Sequence, residues 1–553
     1  MIALLALVLV AAPLGRPSGS FDLILEHGRI VDGTGAPWFR ADVGIRGDRI
    51  AAVGDLSRAR AKRRSDVHDQ VIAPGFIDLL GQSELNLLVD NSAESKVRQG
   101  ITSELTGEGT SPAPMNATMI AEQKEWLARW KLEIDWTDLA GYFRRLRKAR
   151  PAINVGILVG AAQVRGVVLG LGDVQPGEAQ LARMEALVEQ AMEQGALGIS
   201  TGLIYQPGSY AKTPELIALA KVAARHGGIY ATHLRSEGRK IDEALDEAFT
   251  IAREAKIPVE VWHLKASGRP NWGRMPEIVA RIEAARAQGL DVTADMYPYV
   301  ASANGLDSNI PDWAHAGGTD ALVARLADPA QRERIAREIR EGLPGEPPTF
   351  HPEDILLVSC INPELKRYLG KRLSEAAKEL GKPPEEALLD LVARDRANVG
   401  VARFGMSEDD VQVALKQPWV ALDLDYGAVS LSGPFKDESA HPRAFGSMPR
   451  VLGHYARDLK LFPLEEAVRK MTSLPARRLG LTDRGLVRPG MAADLVVFDP
   501  LAVRDVATFE KPTHYSEGID TVVVNGQVVL DHGKMTLARP GKPLLGAGAL
   551  RLP

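Results

Sequence analysis

The sequence predicts an α/β protein: a closed (β/α)8 TIM barrel, a small β-sandwich formed by both termini, and an insertion between barrel strands seven and eight. Three observations carry this. Eight β-prone, buried-looking runs recur through the middle of the chain, most of them separated by a helical stretch, and eight is the number that closes such a barrel. Two of the runs end alike, in His233-Leu-Arg235 and His263-Leu-Lys265. Between them Ile241, Ala244, Leu245, Ala248 and Ile251 share one helical face, which makes a β-α-β unit with parallel strands. Both ends of the chain consist of short strands and Gly turns.

Residues 1–20 read as a signal peptide. Met1 to Ala12 is apolar, too short to span a bilayer, and Ala11 and Ala12 are small residues near a cleavage position. The basic start of such a peptide is missing. A periplasmic or secreted location is expected, with a cytoplasmic one as the alternative. Residues 21–71 form the first part of the sandwich, through FDLILEHGRIVDGTG and ADVGIRGDRIAAVGD. Residues 483–553 supply the rest, through ADLVVFDP and an Asn525-Gly526 hairpin turn.

The barrel takes residues 72–300 and 415–482. Its strands are expected at 71–80, 101–108, 153–160, 196–203, 228–235, 258–265, 290–299 and 419–427, with amphipathic helices such as 181–194 and 215–226 between them. An open doubly wound sheet is the rival, but no Gly-rich phosphate loop follows the first strand. Residues 301–414 are too long for a bare loop. Helical patterns at 320–342, 374–380 and 384–396 make them an inserted subdomain over the barrel mouth, placed to act as a lid.

The totals exclude some classes. The chain has 553 residues, 45% of them apolar, enough for a large core and more than one domain. Its net charge of −4 with both signs dispersed gives no nucleic-acid footprint. A sole cysteine, Cys360, rules out an internal disulfide. Nothing in these totals speaks to oligomeric state.

A barrel brings the C-terminal ends of its strands to one rim. Glu108 ends strand two, His233 strand five, His263 strand six, and Asp425 lies in strand eight. One carboxylate and two imidazoles make a three-ligand metal site with an open position, as in catalytic zinc centres. Asp425 is placed to move a water proton, but Asp423 lies two residues earlier on the same strand face, and pattern does not choose between them. Trp262, Trp272 and Trp313 are candidate pocket walls.

Several stretches together resemble the N-acyl-D-amino-acid deacylases, the D-aminoacylases of the amidohydrolase superfamily. They are APGFIDLLGQ (73–82), QGITSELTGEGTSPAP (99–114), YATHLRSEG (230–238), VWHLKASG (261–268), DMYPYVAS (295–302), HPRAFGSMPRVLGHYARD (441–458) and MAADLVVFDP (491–500). The resemblance runs from about residue 21 to about residue 545. It implies the barrel, sandwich and insertion already read, with His233 and His263 on a catalytic zinc and Asp425, rather than Asp423, as the catalytic aspartate. It also implies that Lys265 and Arg443 hold the substrate carboxylate and that Tyr297 positions the substrate.

Two departures stand out. Family members carry His-x-His after Gly-Phe-Ile-Asp, where this chain has Leu80 and Gln82, and a cysteine ligand at the end of strand two, where it has Glu108. The resemblance therefore implies one divalent metal per subunit on Glu108, His233 and His263. That metal is zinc, with manganese or iron favoured more than usual by the carboxylate. The implied activity is hydrolysis of an N-acyl amino acid, with preference for the D-enantiomer. The rivals are an amidohydrolase of dipeptides or cyclic amides and a catalytically degenerate barrel that only binds acyl amino acids.

Overall fold

The computed structural model describes residues 20–343, 348–436 and 441–550. The apolar run expected to be a signal peptide lies outside the described residues.

The eight barrel strands are β1 (Phe76–Asp78), β2 (Ile101–Thr106), β3 (Asn154–Ile157, continued by Val159–Gly160), β4 (Gly198–Gly202), β5 (Ile229–His233), β6 (Val259–Val261), β7 (Val292–Met296) and β8 (Val420–Leu422). All their pairings are parallel, in two arcs. One joins β1, β2 and Asn154–Ile157. The other runs from Val159–Gly160 through β4, β5, β6 and β7 to β8. Every residue of β2, β4, β5 and β7 is buried, as expected for strands covered on both faces.

Side chains close the seam between β8 and β1. Asp78 Oδ1 accepts from the Leu424 and Leu80 amides at 2.9 and 3.1 Å. The Lys96 ammonium, fully buried, donates to Asp78 Oδ2 at 2.6 Å, to the Tyr426 carbonyl at 2.6 Å and to the Gly81 carbonyl at 3.1 Å. A buried charge is tolerated here because it is paired and hydrogen-bonded on several sides.

The expected strand 71–80 is two strands. Val71–Pro74 belongs to the terminal sheet, where it pairs with Leu495–Phe498, and only Phe76–Asp78 joins the barrel. Gly75 is the hinge: a Cβ there would lie 2.2 Å from the Thr102 side chain. The terminal sheet has nine strands, from Phe21–Ile30 to Lys534–Met535, and interleaves both chain ends. The segment after it does not stay in that sheet. Pro543–Leu544 pairs in parallel with β3 at Val155 and Gly156. Its neighbours run along the barrel floor at a distance only glycine permits, since a Cβ on Gly541 or Gly546 would meet the Ile153 or Ala196 carbonyl oxygen at 2.0 or 2.2 Å.

The insertion has its own apolar core, including Leu306, Leu322, Ile335, Leu388 and Val392, under a three-stranded antiparallel sheet. Gly400–Arg403 is the central strand, between Ser302–Gly305 and Ile355–Ser359. The helix expected at 320–342 is two, Thr319–Ala327 and Pro329–Glu341. Asp328 ends the first and caps the second, its Oδ1 accepting from the Gln331 amide at 2.9 Å, with Pro329 at the first helical position. Among the described residues no helix is long and apolar enough to cross a membrane.

The close approach of the tail gives a stability prediction. Gly546→Val forces a shift against the Ala196 carbonyl and is expected to cost about 1–3 kcal/mol, read as a lowered melting temperature. An unchanged melting temperature would show that the tail is not held against the barrel floor.

Candidate active site

Parallel register sets Tyr230 against Val259 and Thr232 against Val261, so β5 and β6 deliver their last residues to the same rim. His233 is the final residue of β5. His263 lies two residues beyond β6 with φ of +36°, a left-handed turn that non-glycine residues take only when the surroundings hold them there. The Asp295 carboxylate at the end of β7 does so, accepting from the His263 amide at 2.6 Å. Glu108 follows β2 in a turn between Gly107 and Gly109.

The three residues converge. Glu108 Oε1 lies 2.8 Å from His233 Nδ1 and 3.2 Å from His263 Nε2. The two imidazole centroids are 4.4 Å apart, and one ligand atom from each residue falls within 4.8 Å of the others. Glu237 adds a second carboxylate: its Oε1 is 2.8 Å from His263 Nδ1 and bonds the Lys265 ammonium, and its Oε2 is 3.7 Å from His233 Nε2.

The electrostatics favour a cation between these groups. Burial alone would raise Glu108, but hydrogen bonds and charge from His233 and His263 hold its carboxyl well below the usual range. Burial would also raise Glu237, and Lys265 with both histidines pulls it down. Burial and Lys265 oppose charge on His263, yet Glu237 and Glu108 push its pKa up to about 10. His233 Nε2 is buried with no hydrogen-bond partner. An N/N/O donor set in an anionic field, with one imidazole nitrogen uncommitted, fits a single divalent cation.

The remaining predicted residues surround this cluster. Lys265 Nζ is 2.8 Å from His263 Nδ1. Asp425 Oδ2 is 2.8 Å from Arg443 Nη1. The Arg443 guanidinium stacks on the Tyr297 ring at 4.5 Å, and its Nη2 reaches the Ala303 carbonyl of the insertion at 3.4 Å. Nη1 of Arg443 is committed to Asp425, whereas its Nε and the Tyr297 hydroxyl have no partner.

Asp423 and Asp425 do not share a face. β8 ends at Leu422, and Asp425 takes a left-handed backbone with φ of +47°, so the period-two rule stops applying before it reaches them. Asp423 is fully buried against the Asp295 carboxyl, and burial pushes its pKa up to about 7. Asp425 is also raised by burial, against the pull of Arg443.

Three expectations need correction. Trp262 is buried in the apolar cluster with Leu79, Leu80 and Leu105, Trp272 is 41% exposed, and Trp313 packs on the core of the insertion. None lines the cavity of about 330 Å3 beside the site, whose walls include Ile204, Glu237, Asn304, Asp354, Arg403 and Phe404. Pattern reasoning treats a tryptophan near a loop as a wall, whereas the large apolar rings of Trp262 and Trp313 pack into cores.

Sequence reasoning also missed two participants. Glu237 stands four residues after His233, and that spacing was its only signal. Gln82 was read only as a lost ligand. With φ of +49°, its Nε2 donates to Glu108 Oε2 and Asp425 Oδ1, both at 2.7 Å, tying the two carboxylates together. Leu80, at the other lost position, is fully buried in the barrel's apolar core.

Comparison with known proteins agrees over nearly the whole chain. The chain is 39% identical over 537 residues to a D-aminoacylase of Alcaligenes xylosoxydans xylosoxydans, covering 96% of this chain and 99% of that one. A solved N-acyl-D-glutamate deacylase from Bordetella bronchiseptica, complexed with zinc and a phosphonate mimic of the tetrahedral intermediate, matches with TM-score 0.80 and 34% identity. That match covers 95% of this chain and all of that one. A D-aminoacylase structure that describes one-metal activation and second-metal attenuation matches with TM-score 0.79 at 38% identity, with the same coverage. A family model described as amidohydrolase family matches residues 434–530.

Removing the Gln82 amide tests its bridging role. Gln82→Leu is expected to lower zinc affinity or turnover by about 10–100-fold, as for other outer partners of metal ligands. Zinc titration together with steady-state kinetics reads this, and wild-type values for both would remove Gln82 from the site.

Proposed function

The chain belongs to the D-aminoacylase family of amidohydrolases, and from that premise we propose that it is a zinc-dependent deacylase of N-acyl-D-amino acids. The products are a carboxylate and a free D-amino acid. One observation carries the reading to this chain's own site. Three buried polar groups lack hydrogen-bond partners here: His233 Nε2 in the Glu108–His233–His263 cluster, the hydroxyl of Tyr297, whose ring centroid is 6.4 Å from that of His263, and Nε of the Arg443 that stacks on Tyr297. Buried polar groups are nearly always paired, so a local concentration of unpaired ones marks where a ligand belongs.

Glu108, His233 and His263 would hold one zinc ion. Bound there, zinc supplies Lewis acidity, which polarises an amide carbonyl and makes water a nucleophile near neutral pH. The loss of both histidines at Leu80 and Gln82 supports a single-metal enzyme.

The chain's own groups do the rest. Arg443, one arm of which pairs with Asp425, offers its unpartnered Nε to the substrate carboxylate, and the Tyr297 ring stacks on the guanidinium to fix its plane. Lys265 places a second positive charge beside His263. The Asp425 carboxylate, oriented by Gln82 and Arg443, takes the proton of the attacking water and returns it to the departing nitrogen as the C–N bond breaks. Burial of this site keeps bulk water from competing with those contacts.

A cyclic-amide substrate would leave Arg443 Nε unpaired, which favours a linear substrate with a free carboxylate. The apolar run at the N-terminus carries a further proposal, export from the cytoplasm, for which fractionation of the expressed protein is the test.

Assay of N-acetyl-D- and N-acetyl-L-amino acids tests the activity. Chelation is expected to abolish hydrolysis and zinc to restore it. Asp425→Asn is expected to lower kcat by about 10²–10⁴-fold, the usual span for a general base, with KM little changed. Full turnover after chelation, or in the Asp425→Asn variant, would contradict this function.

A further inference from the structure

The stretch HPRAFGSMPRVLGHYARD (441–458) supplies Arg443, but its first residue, His441, has no part in the reaction as proposed. His441 is fully buried between that arginine and the chain entering the insertion. Three aromatic rings stand edge-on around it. Their centroids lie 4.9 Å away for Phe509, 5.6 Å for Tyr299 and 6.4 Å for Tyr297.

Both ring nitrogens are committed, and their partners fix the tautomer. Nδ1 lies 3.0 Å from the Arg443 amide, which can only donate, so Nδ1 accepts. Nε2 lies 3.0 Å from the Ala301 carbonyl, which can only accept, so Nε2 carries the proton. A second ring proton would face the Arg443 N–H. Burial and the Arg443 charge hold the His441 pKa well below the usual histidine range, against the pull of the Ala301 carbonyl.

This geometry joins two elements. Arg443 opens the helix Arg443–Arg450, where the first amides have no acceptor inside the helix. Pro442 precedes it, and its side chain accepts nothing. His441 provides two acceptors instead: its ring takes the Arg443 amide, and its carbonyl takes the Ala444 amide at 3.0 Å. On the far edge of the ring, Ala301 leads directly into Ser302–Gly305, an edge strand of the inserted sheet. Arg443 Nη2 reaches the Ala303 carbonyl on that strand at 3.4 Å. The backbone of Arg443 and its guanidinium are thus tied to one segment, the first through the His441 ring and the second directly.

The guanidinium has little latitude. Nη1 is on Asp425 at 2.8 Å, the plane lies on Tyr297, and Nε is left for the substrate. Those contacts orient the tip of the side chain, and the His441 ring holds the backbone from which it hangs. A shift of about 1 Å at such a group can cost about 100-fold in rate.

We propose that His441 is a positioning residue: its ring, braced on Ala301, sets the backbone of Arg443 and so aims Nε at the substrate carboxylate. The inference rests on the deacylase function proposed above.

Three substitutions in the zinc-loaded full chain test it with N-acetyl-D-leucine as substrate. His441→Leu removes both ring contacts and is expected to raise KM by about 10–100-fold, with a smaller change in kcat. His441→Asn places an oxygen where Nδ1 stood and is expected to recover most of that loss. His441→Gln reaches Ala301 instead and is expected to recover little. All three lose the imidazole packing, so their melting temperatures are expected to fall together. A merely structural role would make KM follow the melting temperature, whereas positioning separates Asn from Gln. If His441→Leu does not fold, the Gln-to-Asn ratio of KM, expected to be about 10, carries the test.

N-acetyl-D-leucinamide, which has no carboxylate, gives a second readout. Its kcat/KM is expected to change by less than about threefold across the series. Equal KM in the Asn and Gln variants, or equal losses on acid and amide, would overturn the role of His441 and leave the deacylase function standing. Wild type that hydrolyses no N-acetyl-D-amino acid would overturn both.

Discussion

A single carboxylate oxygen, Glu108 Oε1, sits between two imidazoles, and the rest of the site is arranged around that junction. Three strands must end at one level for it to exist. Parallel register between β5 and β6 aligns the histidines, Asp295 on β7 holds the backbone of His263, and the glycines around Glu108 let β2 turn inward at the same height. Shifting any one strand by a residue would swing its ligand to the opposite face. The charges follow the same plan: Glu108 and Glu237 raise His263, while the two histidines lower both carboxyls and Lys265 adds to the pull on Glu237.

The replacement of both His-x-His positions has different consequences at its two halves. Leu80 joins the barrel's apolar core, filling space with carbon. Gln82 remains polar and links Glu108 to Asp425, so a neutral amide spans a gap between two anions. Its left-handed backbone, like those of His263 and Asp425, stores about 1 kcal/mol or more of local strain. Three such residues on one rim need firm support from below. The buried Lys96–Asp78 pair at the β8–β1 seam supplies part of it, since it also grips the Gly81 and Tyr426 carbonyls next to Gln82 and Asp425.

Much of the fold was legible because it follows from periodicity. Eight runs, a β-α-β unit and two strand-rich ends needed only alternation and helical spacing. What stayed hidden depended on contacts between distant segments. Pro74-Gly75 is a local breaker within 71–80, but the need for glycine there comes from the Thr102 side chain pressing from the next strand. Composition does not show the tail leaving the terminal sheet for the barrel floor. At the site, residue types at strand ends pointed to Glu108, His233, His263 and Asp425, and the fold brings these together. The choice between Asp423 and Asp425 could not come from alternation, since β8 stops at Leu422. Gln82 and Glu237 escaped notice because their importance lies in what they join.

The most direct test is anomalous diffraction across the zinc edge from crystals of the zinc-loaded protein. One peak is expected, bonded to Glu108, His233 and His263. A peak elsewhere, or a second of equal height beside Leu80 and Gln82, would contradict a single-ion centre.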